Sequence, residues 1–144
     1  MKVVLQRVNN ARVEVDGETV GSIGKGYVAF LGIAEGDNNA AVDKMVEKIV
    51  RLRIFADADG KTNLAAKDVG GGILVVSQFT LMADLTSNRP SFSRAAKPDT
   101  AKELYEYFLE QCKDKFAKAE GGRFAAHMHV HAHNDGPFTL VLEG

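Results

Sequence analysis

Two hydrophobic periods alternate along this chain, and the switches between them mark its elements. Lys2–Val8 is short and rich in β-branched residues, as a strand should be. Arg12–Val15 alternates, Asp16-Gly17 offers a turn, and Glu18–Ile23 can pair back as a hairpin. Tyr27–Ile33 is a continuous apolar run of strand length, which predicts burial on both faces. The period then lengthens. Asn38 or Asn39 can cap a helix running to about Leu52, with Val42, Met45, Val46, Ile49 and Leu52 as its buried stripe. Arg53–Ala56 suggests a short strand closed by an Asp59-Gly60 turn. Ile73–Val76 is a second buried strand, preceded by Gly70-Gly71-Gly72. These glycines lack the Gly-Lys-Ser/Thr ending of a phosphate loop and precede the strand instead of following it.

Residues 83–98 form a long loop carrying Arg89, Arg94 and Lys97. A second helix is expected over Thr100–Lys118, opened by a Thr100/Glu103 capping box, with Ala101, Leu104, Tyr105, Phe108, Cys112 and Phe116 facing the core. Arg123–Asn134 alternates as a strand, and Phe138–Leu142 closes the sheet. One α+β domain over residues 1–144 follows: two main helices packed on a strongly curved, mixed sheet.

The stretch Asn134-Asp135-Gly136-Pro137-Phe138-Thr139 resists this scheme. Asp-Gly between apolar runs reads as a tight turn, yet Pro137 cannot donate to a ladder. It also restricts Gly136 to extended conformations. A hairpin with an edge proline is one reading. A ligand contact built from bare backbone, suited to distinguishing one hand of an α-carbon from the other, is the second.

Composition narrows the function classes. The 144 residues carry a net charge of −1, so broad electrostatic binding of nucleic acid is excluded, leaving local phosphate contact through Arg89, Arg94 or Lys97. Cys112 is the one cysteine, which fits a reducing compartment. No signal peptide or membrane span is read from the sequence, and a cytoplasmic location is expected.

Two further groups bear polar chemistry. Ser77-Gln78-Phe79-Thr80 follows a buried strand directly, where hydroxyls and an amide converge on ligands or simply continue the strand. No Gly-x-Ser-x-Gly elbow surrounds either hydroxyl, and no His–Asp spacing argues for a triad. His127, His129, His131 and His133 alternate, which on a strand puts four imidazoles on one face. A solvent-facing ladder, a transition-metal site and a pH-sensitive interface all remain open there.

Val75–Leu81 and Asn134–Thr139 together resemble the two signature motifs of D-aminoacyl-tRNA deacylases. Gln6-Arg7-Val8, Arg53-Ile54-Phe55, Asn88–Phe92 and Gly122–Ala126 extend the resemblance over essentially the whole chain. It departs at His131, Ala132 and His133, where other residue types are commoner.

The resemblance implies an intertwined homodimer with a barrel-like sheet and active sites at the subunit interface. It implies hydrolysis of the ester joining a D-amino acid to tRNA, and of glycyl-tRNA mischarged on tRNA-Ala. The partner is the acceptor end of aminoacyl-tRNA, and no cofactor or metal is expected. Ser77, Gln78 and Thr80 would be the catalytic-site residues, with Thr80 in the place once considered for a nucleophile. Phe79 and Phe124 would lie near the terminal adenosine. Gly136 and Pro137, joined by a cis bond and braced by Arg7, would filter chirality. The tRNA 2′-hydroxyl would assist the reaction.

Overall fold

The computed structural model describes residues 1–144. Strand β1 (Lys2–Val15) is the spine. Along one edge it pairs antiparallel with β2 (Glu18–Ile23) and then with β3 (Gly26–Gly32). Strand β6 (Gly72–Ser77) lies parallel to β3, and β7 (Ala119–Gly121) lies parallel to β6. The sheet curls until β2 approaches β7. Gly21 permits this closure, because a Cβ there would run into the Gly121 carbonyl. Strand β8 (His129–Glu143) pairs antiparallel with β1 only, leaving its outer edge without a ladder. A two-stranded ribbon, β4 (Phe55–Ala56) with β5 (Thr62–Leu64), stands apart.

Both faces of β3 are buried, as its continuous apolar run predicts. Tyr27, Ala29 and Leu31 join the larger core beneath the helices, and Val28 joins Val8, Val13, Ile23, Leu74 and Val76 inside the curl. Helix α1 (Asn39–Arg51) starts where the Asn38 side chain accepts from the Ala41 amide at 3.0 Å. Val42, Met45, Val46 and Ile49 of its apolar stripe are buried, as predicted, whereas Leu52 is half-buried and caps the helix C-terminus.

Helix α2 departs from expectation at both ends. It spans Pro98–Lys113, and the Thr100/Glu103 capping box does not open it. Pro98 at the first turn has a backbone angle already set for helix and no orphan N–H, so Lys97 takes the cap position without a side-chain bond. The helix stops before Lys118 because the chain must straighten there for β7 to pair with β6. Residues 123–128 are likewise not strand; β8 begins only at His129.

Candidate active site

The 134–139 stretch is neither a hairpin turn nor two strands. Gln6 pairs with Thr139 and Val8 with Asn134, so Asp135–Phe138 all lie opposite Arg7. The corner is therefore a large bulge within one strand. Gly136 takes φ +129, which side chains disfavour, instead of the extended conformation expected before proline. Any Cβ on it would sit 3.0 Å from the Phe138 nitrogen and 3.3 Å from Arg7 Nη2. The Gly136-Pro137 peptide bond is cis. Gly136 and Pro137 are both exposed.

Arg7 holds this bulge from within. Its Nε donates to the Asp135 carbonyl at 3.2 Å and pairs with the Asp135 carboxylate at the same distance. Nη1 donates to the Ile54 carbonyl, and the guanidinium carbon lies 4.8 Å over the Phe138 ring.

The second signature ends elsewhere. Ser77 is the last residue of β6, the Gln78 backbone N–H donates to the Leu31 carbonyl at 2.8 Å, and Phe79–Met82 form a 3-10 turn. Strand continuation thus stops at Ser77. Ser77, Gln78, Phe79 and Phe124 line one cavity of about 650 Å³. Thr80 stays outside its lining, exposed, and accepts from the Gln78 side-chain amide. Phe79 is 56% exposed and meets Phe92 edge-on at 5.0 Å. Phe124 leans on Tyr105, whose hydroxyl donates to the Val75 carbonyl at 3.0 Å. Ala125, next along the wall, holds φ +62, a rare conformation for a residue with a Cβ.

Phe92, Lys97, Pro98, His127 and Met128 also line the walls, and no sequence pattern places them there. The long loop and the resemblance over Asn88–Phe92 are the signals the sequence carries for Phe92. Alternation over Arg123–Asn134 predicts strand at His127, which instead precedes β8.

One chain does not bring the corner and the cavity together. No residue of the bulge lines the cavity. Ser77 pairs with Leu31, Leu31 with Val3, and Val3 lies four residues from Arg7 on the spine. Three strand spacings across and four residues along amount to roughly 20 Å over the sheet.

The family of D-Tyr-tRNA(Tyr) deacylases matches residues 4–143. A D-aminoacyl-tRNA deacylase of Lactobacillus acidophilus is 51% identical, covering 99% of both chains. One from Thermosipho africanus is 50% identical over 99% of this chain and 97% of its own. The chain belongs to the D-Tyr-tRNA(Tyr) deacylase family.

These deacylases are hydrolases acting on aminoacyl-tRNA, so the expected enzyme class holds at family level. A solved structure described as a c-Myc DNA unwinding element binding protein superposes with TM-score 0.93 at 41% identity, covering 100% of this chain and 99% of that one. A probable eukaryotic D-amino acid tRNA deacylase shares the deacylase fold at TM-score 0.84 and 15% identity, covering 98% and 97%.

The histidines divide. His129, His131 and His133 stand exposed on β8, whereas His127 precedes the strand and meets the His129 ring edge-on at 5.2 Å. His131 Nε2 lies 3.3 Å from Glu14, whose carboxyl is held below its usual range chiefly by the Arg12 hydrogen bond. No three His, Cys, Asp or Glu residues are grouped to hold a metal. No helix is long and apolar enough to cross a membrane.

Proposed function

We propose that this chain hydrolyses the ester of D-aminoacyl-tRNA, and that it does so in the cytoplasm as a homodimer whose two sites each combine one subunit's cavity with the other's Gly136-Pro137 corner. The observation that carries this reading is the separation of the two signature motifs within one chain. An exposed, positive-φ corner with no cavity of its own needs a second copy to meet one. The 15-residue β8 also has an unpaired edge and exposes Val141, a surface that a second copy would cover.

The terminal adenosine enters the cavity against Phe79 and Phe124. The partner's corner carbonyls hold the α-ammonium, and the backbone rejects the L side chain. Ser77 and Gln78 orient the ester carbonyl, with Thr80 fixing the Gln78 amide. Water adds to that carbonyl with help from the tRNA 2′-hydroxyl. The acyl–oxygen bond breaks, and the departing 3′-oxygen takes up a proton. Glycyl-tRNA on tRNA-Ala, lacking a side chain to reject, is also turned over.

Purified protein incubated with D-Tyr-tRNA and L-Tyr-tRNA tests this. Release from the D ester alone is expected. Equal rates on both, or no release from the D ester, overturn it.

A further inference from the structure

The acceptor end of a tRNA brings phosphates as well as an adenosine, and the chain offers three loop cations to meet them: Arg89, Arg94 and Lys97. Their placements differ. Arg94 lies 3.4 Å from the Asp84 carboxylate and faces a separate depression beside Lys2 and Glu143. Arg89 lines neither depression. Lys97 lines the cavity that holds Ser77 and Gln78, and it forms no ion pair.

The surroundings of Lys97 sharpen the contrast. No carboxylate lines the cavity, and Lys97 and His127 are its only ionisable side chains. A free amino acid's ammonium would find no counter-charge there, but an anion would. The aromatic rings of Phe79, Phe92 and Phe124 provide stacking surface for bases beside that cation. The Lys97 backbone is also fixed before any ligand arrives. The preceding segment is stitched to the end of β3 through Ala96 N to Ile33 O at 3.0 Å and Glu35 N to Arg94 O at 2.9 Å, and Pro98 begins α2.

We propose that Lys97 is the substrate-binding cation of the site, contacting the phosphate that joins the terminal nucleotide of tRNA to the one before it. Arg94, engaged with Asp84, does not share this role. The assignment rests on the deacylase reading and adds a residue that separates tRNA from a bare nucleoside ester. One phosphate contact displaces condensed counterions, so it has a signature in salt dependence.

The test compares wild type, Lys97→Met, Lys97→Arg and Arg94→Met on two substrates over a salt series: D-Tyr-tRNA, and 3′-O-D-tyrosyl-adenosine, which has no phosphate. Lys97→Met is expected to raise KM for D-Tyr-tRNA several-fold at low salt and to flatten the log–log salt slope by about 1. It leaves kcat and all constants for the nucleoside ester near wild type, and Lys97→Arg restores the tRNA KM. Arg94→Met resembles wild type on both substrates. An unchanged tRNA KM and salt slope in Lys97→Met overturns the proposal while wild-type turnover leaves the deacylase reading standing. An equal KM increase on the phosphate-free ester also overturns it. A wild type inactive on both substrates overturns both readings.

Discussion

Arg7 Nε lies 3.2 Å from the Asp135 carbonyl and 3.2 Å from its carboxylate, so one nitrogen grips backbone and side chain of the same residue. The bulge explains why. Asp135–Phe138 lie opposite a single residue of β1, and a regular ladder cannot serve four residues with one. The guanidinium supplies what the ladder lacks. It reaches Asp135 on one side, Ile54 on the other, and covers the Phe138 ring where the strand resumes. Bare backbone at Gly136 and Pro137 thereby gains a fixed position without a side chain of its own.

Arg7→Lys should loosen this grip despite keeping the charge. A single ammonium cannot span the Ile54 carbonyl and both Asp135 oxygens as the planar fork does. Loss of a charged hydrogen bond predicts destabilisation of about 1.5–3 kcal/mol. Turnover of D-Tyr-tRNA should fall further than the melting temperature suggests, because the corner moves. Thermal melts beside steady-state kinetics check this, and wild-type kcat in a fully folded Arg7→Lys variant would refute it.

Gly136→Ala should be more severe for activity. The new methyl would sit 3.0 Å from the Phe138 nitrogen and 3.3 Å from Arg7 Nη2, at φ +129. Backbone must shift, and a displacement near 1 Å at a positioning group is worth about 100-fold in rate. D-ester hydrolysis should drop by at least that factor while circular dichroism stays that of a folded protein, since Gly136 is exposed and outside both cores. Full activity would make the corner a structural feature only.

Much of this was legible in order along the chain. Period-two alternation located the outer strands, the continuous run at Tyr27–Ile33 announced a strand buried on both faces, and Val42, Met45, Val46 and Ile49 gave the buried side of α1. What escaped was decided by distant partners. Asp135-Gly136 has local turn chemistry, yet β1 pairs on both sides of it and holds the chain in one strand. Three-residue β7 has no period to detect, and the meeting of Gly21 with Gly121 closes the sheet across a separation no local pattern records. The site divides similarly. Ser77, Gln78, Phe79 and Phe124 were readable as motif residues and do share a cavity. His127 fits a strand by alternation, and only the tertiary fold turns it into a wall.

Two buried tyrosines give a stability contrast. The Tyr27 hydroxyl is buried without a protein hydrogen-bond partner, while its ring packs on Phe55 at 5.1 Å and on Phe116. Tyr27→Phe keeps the ring contacts and removes the unpaired group, so stability should hold or rise. Tyr105→Phe removes the bond to Val75 O, an acceptor that Gly122 N also serves at 3.3 Å, and should destabilise by about 1 kcal/mol. Denaturant titrations of both variants decide it. A Tyr27→Phe variant less stable than Tyr105→Phe would be the contrary result.

The same burial predicts weakness in alkali. Burial pushes the Cys112 thiol from its ordinary 9.0 up to about 12 and the Tyr105 hydroxyl from 10.0 up to about 12, and it raises Tyr27 strongly as well. All three are neutral when protonated, and the folded state keeps those protons to higher pH than the unfolded one. Stability is therefore fully present below the unfolded values and declines as pH rises past about 9, more steeply past about 10. Melting temperature against pH measures this, and Cys112→Ala should remove the earliest part of the decline. A profile flat to about pH 11 would contradict it.

The composite site makes the strongest prediction. If each cavity works with the other subunit's corner, a Gly136→Ala subunit retains a sound cavity and a Gln78→Ala subunit retains a sound corner. Each variant alone should be inactive. In a two-fold dimer the two sites exchange roles, so a heterodimer of the variants holds one complete site and one doubly damaged site. Half the dimers in a randomly reassorted mixture are heterodimers, giving roughly a quarter of wild-type D-Tyr-tRNA hydrolysis. Co-expression with two different affinity tags isolates the heterodimer and should raise that share to about half per dimer. Were the corner and cavity of one chain to act together, bridging roughly 20 Å by rearrangement, neither mixture nor heterodimer would regain activity.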